Sequence, residues 1–198
     1  MEDLTLIAPP PALPSILKET ERKGFGMPSE PLIGALLRVL AASKPGGRFL
    51  ELGTGTGIAT AWLLSGMCQD STLVSVDNDL NVQSVAAQIL GGDKRLKFVH
   101  TDGLDYLSKQ PAMSFDMVFA DAMPGKYDGL RLSLGVVTPG GFWIGDDLLP
   151  QPNWPEGHAS KVPLLLNELA SHPEFTILPL AWASGAVVAV RKPGRALE

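Results

Sequence analysis

Residues 48–57, which read RFLELGTGTG, constrain the fold more than any other part of the chain. Phe49, Leu50 and Leu52 suit a buried strand, and the three glycines that follow leave a turn with little side-chain bulk. Apolar residues then recur at helical spacing over residues 58–64. A strand, a glycine turn and a helix N-terminus offer a ligand backbone N–H groups and the positive end of a helix dipole. This arrangement predicts a site for a nucleoside or nucleotide cofactor.

The spacing of the glycines narrows the choice of cofactor. The dinucleotide fingerprint G-x-G-x-x-G would need a glycine where the chain has Ile58, and the Gly-Lys-Ser/Thr of a P-loop is absent. The loop instead reads E-L-G-T-G-T-G, with Glu51 at the end of the strand, and Asp77 closes the next apolar run. An acid at the tip of the second strand can accept both ribose hydroxyls of an adenosine. A structural glycine turn in another kind of α/β domain remains the alternative, because a glycine loop alone is a weak motif.

These residues resemble the first two motifs of the class I S-adenosylmethionine-dependent methyltransferases. The resemblance implies S-adenosyl-L-methionine as the cofactor. It also implies a set of cofactor-binding residues in the glycine loop and at strand ends, namely Glu51, Gly53, Thr54, Gly55, Gly57, Asp77, Asn78, Asp102, Gly103 and Asp121. Glu51 would either face the methionine end of the cofactor or only steady the loop. Asp102 would lie near the adenine, cap the following helix, or do both.

Strands and helices alternate beyond the glycine loop, which is typical of a parallel sheet covered on both faces. Two last strands, at 175–180 and 186–191, are close enough in sequence to pair antiparallel. We therefore expect an α/β, Rossmann-like sheet of seven strands, mostly parallel with an antiparallel terminal hairpin, and helices on both faces.

The length of 198 residues suits one methyltransferase domain at 27–198 after an N-terminal extension at 1–26. Four prolines favour an extended arm up to Pro14, followed by a short helix at 16–23. Ser29 is the predicted N-cap of the next helix.

Composition limits the classes of function. No apolar run reaches the roughly eighteen residues of a membrane span. A net charge of −5 argues against nucleic acid as a partner, since phosphate binding needs a basic surface. The acidic start does not favour a secretory signal, and a single cysteine excludes an internal disulfide. These features predict a cytoplasmic protein with a small-molecule substrate and neither nucleic acid nor membrane as partner, with a homodimer as a possible assembly.

Three further acids, Asp121, Asp146 and Asp147, follow the fourth and fifth predicted strands. Converging carboxylates with no cation nearby in the sequence would repel one another unless a cation lies between them. Oxygen ligands select a hard divalent ion, which predicts Mg²⁺, with Ca²⁺ or Mn²⁺ as alternatives. The competing interpretation is a helix cap at Asp121 and a solvated turn at the other two positions.

The sequence around these acids resembles the metal-dependent O-methyltransferases, the group of the catechol and caffeoyl-coenzyme A enzymes. Residues 115–122, FDMVFADA, are similar to that family's pattern after its fourth strand, and residues 140–147, GGFWIGDD, to its pattern after the fifth. The resemblance implies that Asp121, Asp146 and Asp147 are metal ligands. It implies methyl transfer to a hydroxyl of an aromatic vicinal diol such as a catechol.

Two positions depart from that family's pattern. Asp147 stands where the family has an asparagine, and Pro124 stands where it often has a catalytic lysine. Asp121 and Lys126 are the catalytic candidates that remain. A metal-bound phenol would not need a separate base, because a divalent ion lowers the pKa of a bound oxygen acid.

Several alternatives stay open at this level. The chain could be a metal-independent methyltransferase of the same fold, or a cofactor-binding module without turnover, an alternative that Pro124 in place of the lysine keeps open. Met27, Trp154 and Trp182 are candidates for a hydrophobic wall beside a flat substrate. His158 falls in a loop-like stretch and is expected to be exposed to solvent.

Overall fold

The computed structural model describes residues 6–194. Within this range, seven helices and seven strands follow one another in the order α1 (Leu13–Lys23), α2 (Pro31–Ala42), β1 (Arg48–Leu52), α3 (Ile58–Gly66), β2 (Thr72–Asp77), α4 (Leu80–Leu90), β3 (Leu96–His100), α5 (Gly103–Leu107), β4 (Phe115–Ala120), α6 (Leu130–Gly135), β5 (Val137–Gly145), α7 (His158–Ser171), β6 (Phe175–Leu180) and β7 (Ala186–Arg191). No helix within 6–194 combines the length and the apolar character needed to cross a membrane.

The strands form one sheet in the order β3-β2-β1-β4-β5-β7-β6. β1 pairs in parallel with β2 and β4, and β3 and β5 extend the parallel part on either side. β7 pairs antiparallel with both β5 and β6. The predicted fold class is confirmed, including the terminal hairpin. β2 and β3 lie on one side of β1, and β4 and β5 lie on its other side. A crevice therefore opens at the carboxyl ends of β1 and β4, where ligands bind in open α/β sheets.

Two hydrophobic cores cover the two faces of the sheet. Residues of α1 to α4 pack on one face around the fully buried Trp62, and residues of α5 to α7 pack on the other around Trp143. α2 and α3 approach each other closely because a glycine stands at each contact. A Cβ at Gly34 would overlap the indole of Trp62, and a Cβ at Gly66 would overlap the backbone of Arg38.

The N-terminal part differs from the expectation. α1 begins at Leu13, so the predicted extended arm ends before Pro14, which lies in the first helical turn. Proline is tolerated there because the first N–H groups of a helix have no intrahelical partner. Leu13 and Ile16 belong to the same core as α2 and α3. The boundary at residue 27 stays a prediction, and residues 1–5 of the arm lie outside the described residues.

Two other boundaries were predicted incompletely. The N-cap of α2 is Glu30, whose side chain makes no capping hydrogen bond, so the prediction of Ser29 as the cap was wrong. β5 is longer than the three apolar residues that suggested it. Its pairing with β4 is interrupted between Val137 and Phe142, because the Pro-Gly-Gly turn sequence lies inside the strand as an irregularity.

Candidate active site

A cavity of about 870 Å³ lies at the carboxyl ends of the central strands. Its lining contains the predicted residues Gly53, Thr54, Gly55, Asp77, Asn78, Gly103, Asp121, Lys126, Asp146 and Asp147. The glycine loop and the end of β2 form one end, and the ends of β4 and β5 form the other. The volume falls within the range of small-molecule sites, about 300–1,000 Å³.

The glycine loop brings the two ends of the cavity together. The N–H of Gly53 donates to the carbonyl of Val76 at 2.9 Å, which continues the β1–β2 pairing into the loop. Gly53 has a φ of +99°, and a Cβ at this position would stand 2.7 Å from the backbone oxygen of Asp121. Glycine is therefore required both by the backbone conformation and by the close approach of the chain after β4.

Asp77 is held at the end of β2 by backbone amides. Its Oδ2 accepts a hydrogen bond from the N–H of Gly55 at 2.8 Å, and its Oδ1 accepts one from the N–H of Asp79 at 2.8 Å. Each carboxylate oxygen keeps a further lone pair, and the side chain lines the cavity. The fixed carboxylate has the chemistry that the predicted contact with ribose hydroxyls needs.

Glu51 lies beneath the loop and does not line the cavity. One of its oxygens accepts hydrogen bonds from the hydroxyls of Thr60 and Ser75. The Ser75 hydroxyl is also hydrogen-bonded to the Thr54 hydroxyl. The Thr54 hydroxyl in turn accepts a hydrogen bond from the side-chain amide of Gln83 at 3.0 Å. Burial raises the pKa of Glu51 to about 8 although these hydroxyls act in the opposite direction. Of the two roles predicted for Glu51, its position favours the steadying of the loop.

Gly57 and Asp102 also lie outside the cavity lining. Gly57 has a φ of +94° at the N-cap of α3, where it packs against Ala86 of α4. Asp102 caps α5, because its Oδ1 accepts from the N–H groups of Leu104 and Asp105 at 2.7 and 3.2 Å. The capping role expected of Asp102 is therefore present, and its neighbour Gly103 lines the cavity in its place.

The three acids at the other end each have a separate donor. Asp121 accepts from the hydroxyl of Ser29 at 3.0 Å. Asp146 accepts from the hydroxyl of Ser184 and from the N–H of Asp147, both at 2.6 Å. Asp147, with a φ of +65°, accepts at its Oδ2 from the indole N–H of Trp154 at 3.0 Å. The carboxylates therefore lie in one region but are directed towards different partners.

Lys126 supplies positive charge to this region. It is buried, with 3% of its surface exposed, and its ammonium donates to the backbone carbonyl of Asp146 at 2.9 Å. Burial and the carboxylate of Asp146 raise the pKa of Asp121 to about 7, and burial raises that of Asp146 to about 6. In both cases the charge of Lys126 acts to lower the pKa.

The predicted metal site is not supported by the donor geometry. Within residues 6–194, no group of three or more His, Cys, Asp or Glu side chains is arranged so that it could hold a metal ion. Asp121, Asp146 and Asp147 accept hydrogen bonds from Ser29, Ser184 and Trp154. Lys126, predicted as a catalytic candidate, also supplies a cation that the metal prediction did not count. The residues present therefore do not fit the bound Mg²⁺ that the resemblance implied.

An aromatic cluster forms part of the wall at this end. The rings of Trp154 and His158 lie 4.4 Å apart between centroids at an angle of 31°, and both residues line the cavity. The Nε2 of His158 lies 3.1 Å from the hydroxyl of Tyr127. Burial, together with the charge of Lys126, lowers the pKa of His158, so the ring is neutral near pH 7. Burial also raises the pKa of Tyr127 to about 12.

The sequence interpretation missed parts of this wall. His158 was expected in solvent but is buried, because α7 begins at this residue and turns the ring onto Trp154. Ser29 was missed because its partner, Asp121, lies 92 positions away in the chain. Of the other wall candidates, Met27 lines the cavity, whereas Trp182 packs against the core. No pattern in the sequence around His158 indicated its contact with Trp154.

Comparisons with known proteins agree with this architecture. Residues 50–148 match a family model described as a methyltransferase domain. A provisionally named O-methyltransferase of Mycolicibacterium vanbaalenii is 34% identical over 120 residues, which cover 56% of this chain and 51% of that protein. The chain thus spans about half the length of the curated relatives that it matches.

Solved structures share the fold over nearly the whole chain. A provisionally named O-methyltransferase from Klebsiella pneumoniae superposes with a TM-score of 0.80 at 25% identity, covering 95% of this chain and 93% of the other. An O-methyltransferase from Bacillus cereus, solved in complex with SAH, gives a TM-score of 0.80 at 21% identity, covering 94% and 93%.

The matched segment begins in β1 and ends just beyond Asp146 and Asp147, so it contains the glycine loop, Asp77 and the acids of the second end. It accounts for half of the chain and for most of the cavity lining. The chain therefore belongs to the methyltransferase domain family, and its fold is that of the class I S-adenosylmethionine-dependent methyltransferases.

Proposed function

We propose that the chain transfers the methyl group of S-adenosylmethionine to a hydroxyl oxygen of a small aromatic molecule. The observation that carries this proposal is the single cavity that joins the loop and Asp77 at one end to Lys126 and Asp146 at the other. Relatives named as O-methyltransferases support oxygen as the acceptor atom.

The residues at the first end suit the methyl donor. Asp77 presents a fixed carboxylate to ribose hydroxyls, and Gly55 keeps the loop free of side-chain bulk. When bound, the donor supplies an electrophilic methyl group on a positively charged sulfur. The buried hydrogen bonds among Glu51, Ser75 and Thr54 hold the loop in place, so the loop needs little rearrangement to bind it.

The residues at the second end suit an acceptor hydroxyl. In this proposal the carboxylate of Asp121 accepts the hydroxyl proton, and the ammonium of Lys126 stabilises the negative charge that develops on the oxygen. The stacked rings of Trp154 and His158 provide a flat wall for an aromatic acceptor. Holding both reactants in line can supply on the order of 7–11 kcal/mol of the barrier reduction.

The finer prediction of a metal-chelating vicinal diol loses its basis here. A diol was expected because one cation would bind both of its oxygens, and Asp121, Asp146 and Asp147 do not form such a cation site. A single phenolic hydroxyl is sufficient for the arrangement around Lys126.

The test is methyl transfer from isotopically labelled S-adenosylmethionine to a panel of phenols, catechols, flavonoids and thioesters, with products identified by mass spectrometry. We expect labelled product from at least one phenol. Binding of the donor without transfer to any member of the panel would instead favour a cofactor-binding module, the alternative that Pro124 left open.

A further inference from the structure

Lys126 reaches the cavity because of the turn that precedes it. Gly125 has a φ of +81°, and a Cβ there would overlap the side chain of Leu52. The hydroxyl of Ser133 donates to the Gly125 carbonyl, and the Gly125 N–H donates to the carbonyl of Asp128 at 2.7 Å. These bonds fix the turn after Pro124 and direct the Lys126 side chain inwards. Lys126, two positions beyond Pro124, therefore reaches the cavity lining.

One oxygen of each carboxylate around Lys126 accepts a hydrogen bond from a neutral side-chain donor. Ser29 donates to Asp121, Ser184 to Asp146, and Trp154 to Asp147. A divalent ion would have to be held by the remaining oxygens, and within residues 6–194 these side chains are not arranged as a group that could hold a metal. It would also have to approach a buried ammonium, which repels it.

From this disagreement between the donor set and a metal ion we infer that Lys126 is a built-in cation that replaces a divalent ion at the acceptor end. The inference rests on the proposed function, because it assigns the means by which that site stabilises an acceptor oxygen. Methyl transfer then proceeds without a metal, and the same ammonium keeps metals out of the acidic region.

The inference predicts an effect on metal affinity that does not depend on turnover. The variant Lys126→Met removes the ammonium but keeps a side chain of similar length. The three nearby carboxylates would then lose their internal cation, so we expect the variant to bind Mn²⁺ at least about tenfold more tightly than the wild type. Lys161 also lies near the ring of Tyr127, at 5.9 Å from the ring centre compared with 5.3 Å for Lys126, yet it lies outside the cavity lining. Lys161→Met is therefore the matched control and should leave Mn²⁺ affinity unchanged.

The experiment is a Mn²⁺ titration of the full chain by electron paramagnetic resonance, with circular dichroism to establish folding. It is paired with methyl transfer by the wild type before and after treatment with EDTA. We expect no saturable Mn²⁺ binding by the wild type, a gain in Lys126→Met, and transfer that EDTA does not change.

Three results would overturn the inference. They are stoichiometric Mn²⁺ binding by the wild type, transfer that EDTA abolishes and Mg²⁺ restores, and a folded Lys126→Met variant with no gain in Mn²⁺ affinity. Should that variant not fold, the wild-type titration alone decides. The Mn²⁺ result stands even if no acceptor is found, whereas metal-dependent transfer would refute the inference and leave the proposed function intact.

Discussion

Glu51 shows how one buried side chain can make stability depend on pH. The folded-state pKa of about 8 lies above the ordinary value of 4.5, so between these values the folded protein keeps a proton that the unfolded chain has released. Stability should therefore fall as the pH rises through this window. The other oxygen of Glu51 is buried without a hydrogen-bond partner, so the hydroxyls of Thr60 and Ser75 offset the burial of the charge only in part.

The variant Glu51→Gln tests this effect. The glutamine cannot ionise, so the variant should not lose stability as the pH rises. The difference in free energy of unfolding, variant minus wild type, should therefore increase by up to about 4 kcal/mol between about pH 5 and about pH 9. Urea unfolding at a series of pH values measures the difference. Glu21→Gln, an exposed change on α1, is the control and should show no such trend. Parallel pH profiles for wild type and Glu51→Gln would contradict the assignment.

Asp77 should serve the binding of the methyl donor, and Asp121 should serve methyl transfer. Asp77→Ala removes charged hydrogen bonds at the donor end, so the affinity for S-adenosylmethionine should fall about 10- to 100-fold. Asp121→Ala should abolish transfer while leaving that affinity nearly intact. Calorimetry with the donor and a transfer assay measure the two effects, with the exposed Asp70→Ala as control. An equal loss of affinity in both variants would disprove this division.

Residue types and strand ends were sufficient to predict that Asp77, Asp121, Asp146 and Asp147 line one cavity, because parallel strands all end on the same edge of the sheet. They did not show that Glu51 and Asp102 lie outside its lining. The sequence did not reveal the direction of each side chain. Lys126 depends on a turn with positive φ at Gly125, and Asp147 itself has a positive φ. Such local backbone conformations decide whether acids converge on a metal or turn to separate donors, and no periodicity encodes them.

At the scale of elements, the alternating units and the terminal hairpin were predictable from apolar runs. The ends of elements were less so. Pro14 was taken to exclude helix, but proline is compatible with a first helical turn. The support that α1 gives to the glycine loop could not be predicted from local sequence, because it depends on a long-range contact. The hydroxyl of Thr20 lies 2.8 Å from that of Thr56 in the loop.

The close approach of α2 and α3 gives a prediction for these elements. Gly34→Ala would place a methyl group into the fully buried indole of Trp62, so the helices must separate or the ring must move. Overpacking of this kind costs about 1–3 kcal/mol. Thermal unfolding should show the loss, whereas Gly92→Ala, with no atom within 4 Å of the added Cβ, should change the melting temperature little. Equal melting temperatures for the two variants would show that the helices adjust without strain.

At the scale of the whole molecule, a ligand that bridges both halves of the sheet should stabilise the fold. At a concentration about a hundredfold above its dissociation constant, S-adenosylhomocysteine should add about 2.7 kcal/mol to the free energy of unfolding. For a chain of this size the melting temperature should rise by about 5–10 °C. Differential scanning calorimetry measures the shift, and Asp77→Ala should reduce it. An unchanged melting temperature in the wild type would contradict donor binding at this cavity.

The order of the sheet has a consequence for how such a chain can diversify. Strands on one side of β1 come early in the sequence and form the end of the cavity proposed for the methyl donor, whereas β4, β5 and the loop after them come late and form the end proposed for the acceptor. Recombination between two relatives at a point between β3 and β4 would change the molecule that receives the methyl group and would keep S-adenosylmethionine as its source. Hybrids joined there from two relatives should take most of their selectivity from the C-terminal parent, with a contribution from the N-terminal residues Met27 and Ser29, which line the same cavity.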